Sequence, residues 1–133
     1  MKMNMDREGL PYNAERRWSY NSRLAQELAK WAETKGEAEK INNALFRAYF
    51  VDVKNIGQPE VLSEIAAENG LPADEATDVL LSRSFKDAVD EDWRRCAAVG
   101  VNAVPTFGAG RYLMVGAQPY AELERLVQHA VKE

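Results

Sequence analysis

The sequence predicts a mainly α-helical chain that ends in a small β-hairpin. Apolar residues recur at helical spacing in successive blocks up to about residue 100, and Gly or Pro punctuates the ends of most blocks. Beyond Gly100 the pattern shortens to two apolar stretches around a glycine-containing turn. With 133 residues, 46% of them apolar and 29% charged, the chain has the composition of an ordinary globular domain and is long enough to bury a sizeable core.

The first helix is expected from about Glu15 to Thr34, with Leu24, Leu28 and Trp31 on one stripe and Ala25, Ala29 and Ala32 beside it. Gly36 interrupts the pattern. Ile41, Ala44, Leu45, Ala48 and Tyr49 then mark a second amphipathic helix. A third opens at Pro59, which suits a first helical position, carries Val61, Leu62, Ile65 and Ala66, and stops at Asn69-Gly70. Pro72 and the acidic pair Asp74-Glu75 open a fourth, with Val79 and Leu80 as its apolar residues. Ser84 with Asp87 three residues on resembles a capping box for a fifth helix, whose face is Phe85, Val89, Trp93, Cys96 and Ala97 and whose end is Gly100. Val101 to Phe107 and Tyr112 to Val115 are the expected strands, joined by Gly108-Ala109-Gly110-Arg111. Pro119 starts the last helix, and Tyr120, Leu123, Leu126, Val127 and Ala130 can cover one face of the hairpin. No linker divides the chain, so the expectation is one domain over residues 1–133.

The charge balance of 17 basic against 21 acidic residues gives −4, and the only paired basic residues are Arg16-Arg17 and Arg94-Arg95. That excludes a phosphate-tracking surface, so nucleic acid is not an expected partner. No apolar run approaches the ~18 residues of a membrane span, and the start MKMNMDREG offers no secretory apolar segment, so no membrane partner and a cytoplasmic location are expected. Methionines at three of the first five positions leave the natural start open.

Candidate chemistry is sparse. No metal-ligand spacing, phosphate-binding glycine loop or Ser/His/Asp set can be assembled, so neither metal nor cofactor is expected. His129 near the end of the last helix is explained by the helix dipole. Asp87, Asp90, Glu91 and Asp92 spread over the helix face opposite Phe85, Val89 and Trp93, as a solvated face would. Cys96, the only cysteine, excludes a disulfide or CxxC pair within the chain. It lies in a last helical turn and shares the apolar stripe, so it reads as a buried structural thiol. The remaining signal is Gly100-Val101-Asn102-Ala103-Val104-Pro105-Thr106-Phe107, a helix stop followed by a strand with proline at its start.

The run GVNAVPTF, with the later GRYLMVGAQPYAELERLV, resembles the C-terminal end of DsbA-like thioredoxin-fold thiol-disulfide oxidoreductases, in the cytoplasmic FrnE-type branch. YNSRLAQELAKWAETKG, NNALFRAYFVDVKNIGQPEVLSEIAAENGL and DEDWRRCAAVGV resemble that branch's inserted helical domain, in the same order. The resemblance implies a helical insert over residues 10–100 and the C-terminal ββα portion of a thioredoxin-like fold over residues 101–133. It also implies that Pro105 matches a cis-proline beside the catalytic dithiol, that Val104 offers its backbone to a bound substrate, and that Thr106 begins the strand. Protein or small-thiol substrates follow from the same resemblance. The family's N-terminal strand, CxxC helix and second strand have no counterpart here, so the chain is expected to be inactive alone, with no catalytic residue of its own.

Kappa-class glutathione transferases and the related 2-hydroxychromene-2-carboxylate isomerases share the GVxxVPTF strand. They usually carry a W/F-G-Q-D-R-type sequence where this chain has Val115-Gly116-Ala117-Gln118-Pro119, and the FrnE-type branch fits better. A non-catalytic protein-interaction module is the alternative from another class. In the complete fold the strand beginning at Thr106 is internal. Here its outer edge is expected to be free, with surface from Phe107, Tyr112 and Met114 exposed, and a homodimer through that edge is the expected remedy.

Overall fold

The computed structural model describes residues 2–132. Among these residues seven helices and one hairpin succeed one another: α1 (Lys2–Glu8), α2 (Arg23–Thr34), α3 (Ala38–Phe50), α4 (Pro59–Glu68), α5 (Ala73–Ser82), α6 (Lys86–Ala98), β1 (Thr106–Ala109), β2 (Tyr112–Val115) and α7 (Tyr120–Val131). The fold is thus mainly helical with one small antiparallel sheet. The chain forms two compact units, one ending at Asp90 and the other beginning at Glu91.

In the first unit α2 packs on α3, α4 and α5, and α4 packs on both α3 and α5. Leu28 and Trp31 of α2, Ile41 of α3, Leu62 of α4 and Leu80 of α5 are fully buried, so the stripes read from helical spacing meet in one core. Each such side chain contributes about 1.5–3 kcal/mol on removal from water. The helix ends follow their local chemistry. Pro59 is the first residue of α4, Leu71 N–H bonds the Ala66 carbonyl past Gly70 at φ +82°, and Pro72 caps the start of α5.

Two boundaries differ from expectation. α2 begins at Arg23 and not near Glu15, because asparagine side chains compete for the backbone: Asn13 Oδ1 accepts the Glu15 N–H (2.9 Å) and Asn21 Oδ1 accepts the Arg23 N–H (2.8 Å). α1, unmarked by any apolar period, is an additional helix that ends at Gly9 with φ +65°. The expected capping box does not form either. Ser84 Oγ lies 2.6 Å from Ser82 Oγ, and the α5–α6 turn is instead made by Arg83 in the left-handed region at φ +57°.

That turn is held by the one fully buried charged residue among those described, Glu27. Its carboxylate accepts from Arg83 Nε (2.9 Å) and Nη2 (2.7 Å) and from Arg23 Nε (3.4 Å). Arg23 also donates to Asp90 and to the Lys86 carbonyl, tying the start of α6 to α2.

The apolar stripe of α6 reaches the core only in its first half. Phe85 packs against the core and Val89 is buried, but Trp93 is 58% exposed and Cys96 and Ala97 are exposed. The expectation of a buried Cys96 is therefore corrected. Spacing shows that a helix has an apolar face, yet it cannot show where along the helix the packing partner ends.

In the second unit β1 and β2 pair antiparallel in the register Thr106↔Val115, Phe107↔Met114, Gly108↔Leu113 and Ala109↔Tyr112. β1 starts at Thr106, later than Val101, since Pro105 has no N–H to add to a ladder. Gly108 and Ala109 belong to the strand. The turn is only Gly110-Arg111, with Gly110 at φ +58° as its first central residue. The Phe107, Ala109, Tyr112 and Met114 face is half-buried, and α7 packs on both strands. Phe107, Tyr112 and Met114 thus keep part of their surface exposed, as expected, but Leu113 (46%) and Val115 (54%), on the opposite face, are the more exposed apolar residues of the hairpin. The period-2 alternation puts one apolar set on each face, and a single helix covers only one.

Candidate functional site

The segment Val104-Pro105-Thr106 lies where irregular chain becomes strand. Gly100, at φ +86°, ends α6, with the Val101 N–H returning to the Cys96 carbonyl at 2.8 Å. The Val104–Pro105 peptide bond is cis. The Pro105 carbonyl accepts the Gly116 N–H (2.8 Å), continuing the ladder one step beyond β1. Thr106 Oγ1 donates to the Ala103 carbonyl (2.6 Å), and Gln118 Nε2 donates to the Val115 carbonyl (3.1 Å). Both bonds fix the two chain segments that flank the strand entrance.

The result is a braced main-chain segment with one exposed residue at its tip. Val104 is 90% exposed, and among the described residues neither its N–H nor its C=O has a hydrogen-bond partner. Such a group can accept or donate only to something brought to it. Since 105/116, 107/114 and 109/112 are the pairs facing each other with hydrogen bonds, the N–H and C=O groups of Thr106 and Gly108 point to the open side of β1.

The other candidates are accounted for by their surroundings. His129 is exposed on α7, its ring 4.6 Å from that of Tyr112 at 60°. Of the acidic face of α6, Asp87 is exposed and the other three carboxylates are charge-paired. Asp90 pairs with Lys86 (2.9 Å) and Arg23, Glu91 with Arg94 (2.7 Å) and Asp92 with Arg95 (3.9 Å). The Lys86 hydrogen bond first, and Arg23 second, hold the Asp90 carboxyl down at about 2. Among the described residues no group of His, Cys, Asp and Glu could hold a metal ion. No helix among them is long and apolar enough to cross a membrane. The Glu27–Arg83 pair had no sequence signal, because its partners lie 56 positions apart.

What this arrangement presents chemically is an exposed main-chain donor and acceptor at Val104. It brings no nucleophile or proton-transfer group to Val104, and the only thiol, Cys96, sits on α6.

Comparison with known proteins identifies the family and the fold. The model of the DSBA-like thioredoxin domain matches residues 1–128. The uncharacterized protein YwbO of Bacillus subtilis (strain 168) is 26% identical over 111 residues, covering 83% of this chain and 56% of that protein. Among solved structures, a probable DsbA oxidoreductase from Streptomyces coelicolor superposes with a TM-score of 0.87 at 29% identity, over 98% of this chain and 57% of that one. A candidate protein disulfide isomerase from Nitrosomonas europaea has a TM-score of 0.74 at 22% identity, over 98% of this chain and 70% of that one, a likeness of fold. The chain spans somewhat more than half the length of YwbO and of the Streptomyces protein.

Proposed function

Because the chain belongs to the DSBA-like thioredoxin domain family, we propose that it serves thiol-disulfide exchange by presenting Val104, Pro105 and Thr106 to a protein or small-thiol substrate. The family match and the Streptomyces neighbour support an oxidoreductase-like role. The observation that carries the finer reading is the exposed, unpaired main chain of Val104 on a segment braced from both sides.

The exchange has two steps. A thiolate attacks one sulfur of a substrate disulfide, the S–S bond breaks, and the released sulfur leaves as a thiolate, giving a mixed disulfide. A second thiolate then attacks the mixed disulfide, so that the substrate gains two electrons and the attacking pair becomes a disulfide. These 133 residues hold one thiol, so alone they can at most reach the first step. In this reading the chain supplies recognition and the reacting dithiol lies outside it. The FrnE-type branch, suggested by the order of the helical motifs, and the cytoplasmic setting that the resemblance to that branch carries with it belong to the same proposal.

The test is a titration of isotopically labelled chain with a reduced, carboxymethylated polypeptide, followed by amide NMR. Shifts centred on Val104 and Thr106 are expected. Shifts confined to α1–α5, or none at all, would overturn the assignment.

A further inference from the structure

One flank of α3 repeats Lys40, Asn43, Ala44, Arg47 and Ala48, the i, i+3, i+4, i+7 and i+8 positions of a helix stripe. Lys40 and Arg47 stand two turns, about 10 Å, apart on it, with Ala44 between them. Opposite this stripe α4 presents Ile65, Glu68 and Asn69, and the short alanine side chains leave a cavity of about 480 Å³ between the two helices. Ala48 and Ile65, both 2% exposed, are its apolar part. A cavity of this size takes the body of a small organic molecule. All its lining residues belong to the first unit.

The chain leaving α3 folds back at the Arg47 end. The Asp52 N–H returns to the Arg47 carbonyl (3.0 Å) and the Lys54 N–H to the Ala48 carbonyl (2.8 Å), with Val53 between them at φ +55°. A β-branched residue is strongly disfavoured there, and such strain gathers at ligand sites. The turn sets Lys54 in the cavity lining together with Arg47. It also occupies two carbonyls of the last helical turn, which would otherwise repel an anion.

The cationic groups at this end are unused. Arg47 Nε lies 3.9 Å from Asp52 Oδ2, beyond hydrogen-bond reach, and among the described residues no hydrogen bond engages the Arg47 guanidinium or the Lys54 ammonium. Two cations against one carboxylate leave this end positive, whereas Lys40 and Glu68 balance elsewhere in the lining. A planar guanidinium with free donors and an ammonium in the same cavity suit the oxygens of one carboxylate or phosphate. Asp52 and Glu68 in the same lining oppose an extended polyanion.

We propose that this cavity binds a small organic oxyanion, its carboxylate or phosphate held by Arg47 and Lys54 and its short apolar stem laid over Ala44, Ala48 and Ile65. The site shares no residue with Val104-Pro105-Thr106 and needs no thiol.

Titration of the full chain with hexanoate and with hexyl phosphate, read by calorimetry and amide NMR, tests this. Saturable binding is expected, with shifts centred on residues 44–54 and 65–69, and the tighter probe identifies the headgroup. Arg47→Gln and Lys54→Gln are each expected to weaken binding about tenfold or more. Arg47→Lys, which keeps the charge and loses the fork, is expected to recover part of that loss. The far-UV circular dichroism spectrum should not change in any of these variants. Should one glutamine variant fail to fold, the other decides. No saturable binding of either probe, binding that stays within twofold in the folded glutamine variants, shifts centred elsewhere, or inorganic phosphate binding as tightly as hexyl phosphate would each overturn the proposal.

Discussion

At Glu27 a carboxylate with no solvent exposure is held by Arg83 and Arg23, whose guanidinium groups both reach water. Removing its charge leaves Arg83 against a buried amide and takes one of Arg23's two carboxylate partners, so Glu27→Gln is expected to cost about 3 kcal/mol, the low end for a broken buried pair. Urea unfolding measures it. Glu91→Gln, which breaks the exposed Arg94 pair, serves as the control and is expected to cost less than ~1 kcal/mol. Asp90 adds an acid limb. Its folded carboxyl is lowered from 3.8 to about 2, so its stabilisation is present above the unfolded value and is lost as pH falls through the folded one. Between those values the thermal midpoint should fall, and Asp90→Asn should flatten this limb. Cys96, being exposed, is expected to react with a disulfide reagent in one fast step without denaturant, whereas protection until unfolding would contradict the placement.

Helices and hairpin answer to different constraints. Leu62 has no exposure and sits where α4 meets α2, α3 and α5, so Leu62→Ala is expected to cost about 2–5 kcal/mol by urea unfolding. Gly110 combines φ +58° with a would-be Cβ only 3.3 Å from Ala130 Cβ. Gly110→Ala should therefore destabilise the hairpin by at least the ~1–2 kcal/mol of a left-handed non-glycine residue. α3 to α6 were legible in the sequence because Pro59, Asn69-Gly70, Pro72 and Gly100 act locally, where a residue's own backbone preference decides the outcome. The start of α2 was not, since Asn13 and Asn21 offer the backbone a competing acceptor that apolar spacing does not register. The exposure of Cys96 was illegible for a different reason: it depends on what is absent beside the last turns of α6. Val104, Pro105 and Thr106 were visible only through family resemblance, because a proline at a strand start looks the same whether or not its neighbour is free.

Across the whole chain the core lies in the first unit and the candidate site in the second, whose apolar surface is only half-covered. The proposed function separates recognition from redox chemistry, since it rests on the main-chain groups of Val104 while the single thiol can form no intrachain disulfide. The most direct test of that separation is insulin reduction by the purified chain and by Cys96→Ser, each with excess small thiol. The expected result is that both match the rate of the small thiol alone. Turnover above that background that survives Cys96→Ser would contradict the account, because it would require electrons to pass to insulin through a chain with no thiol at all.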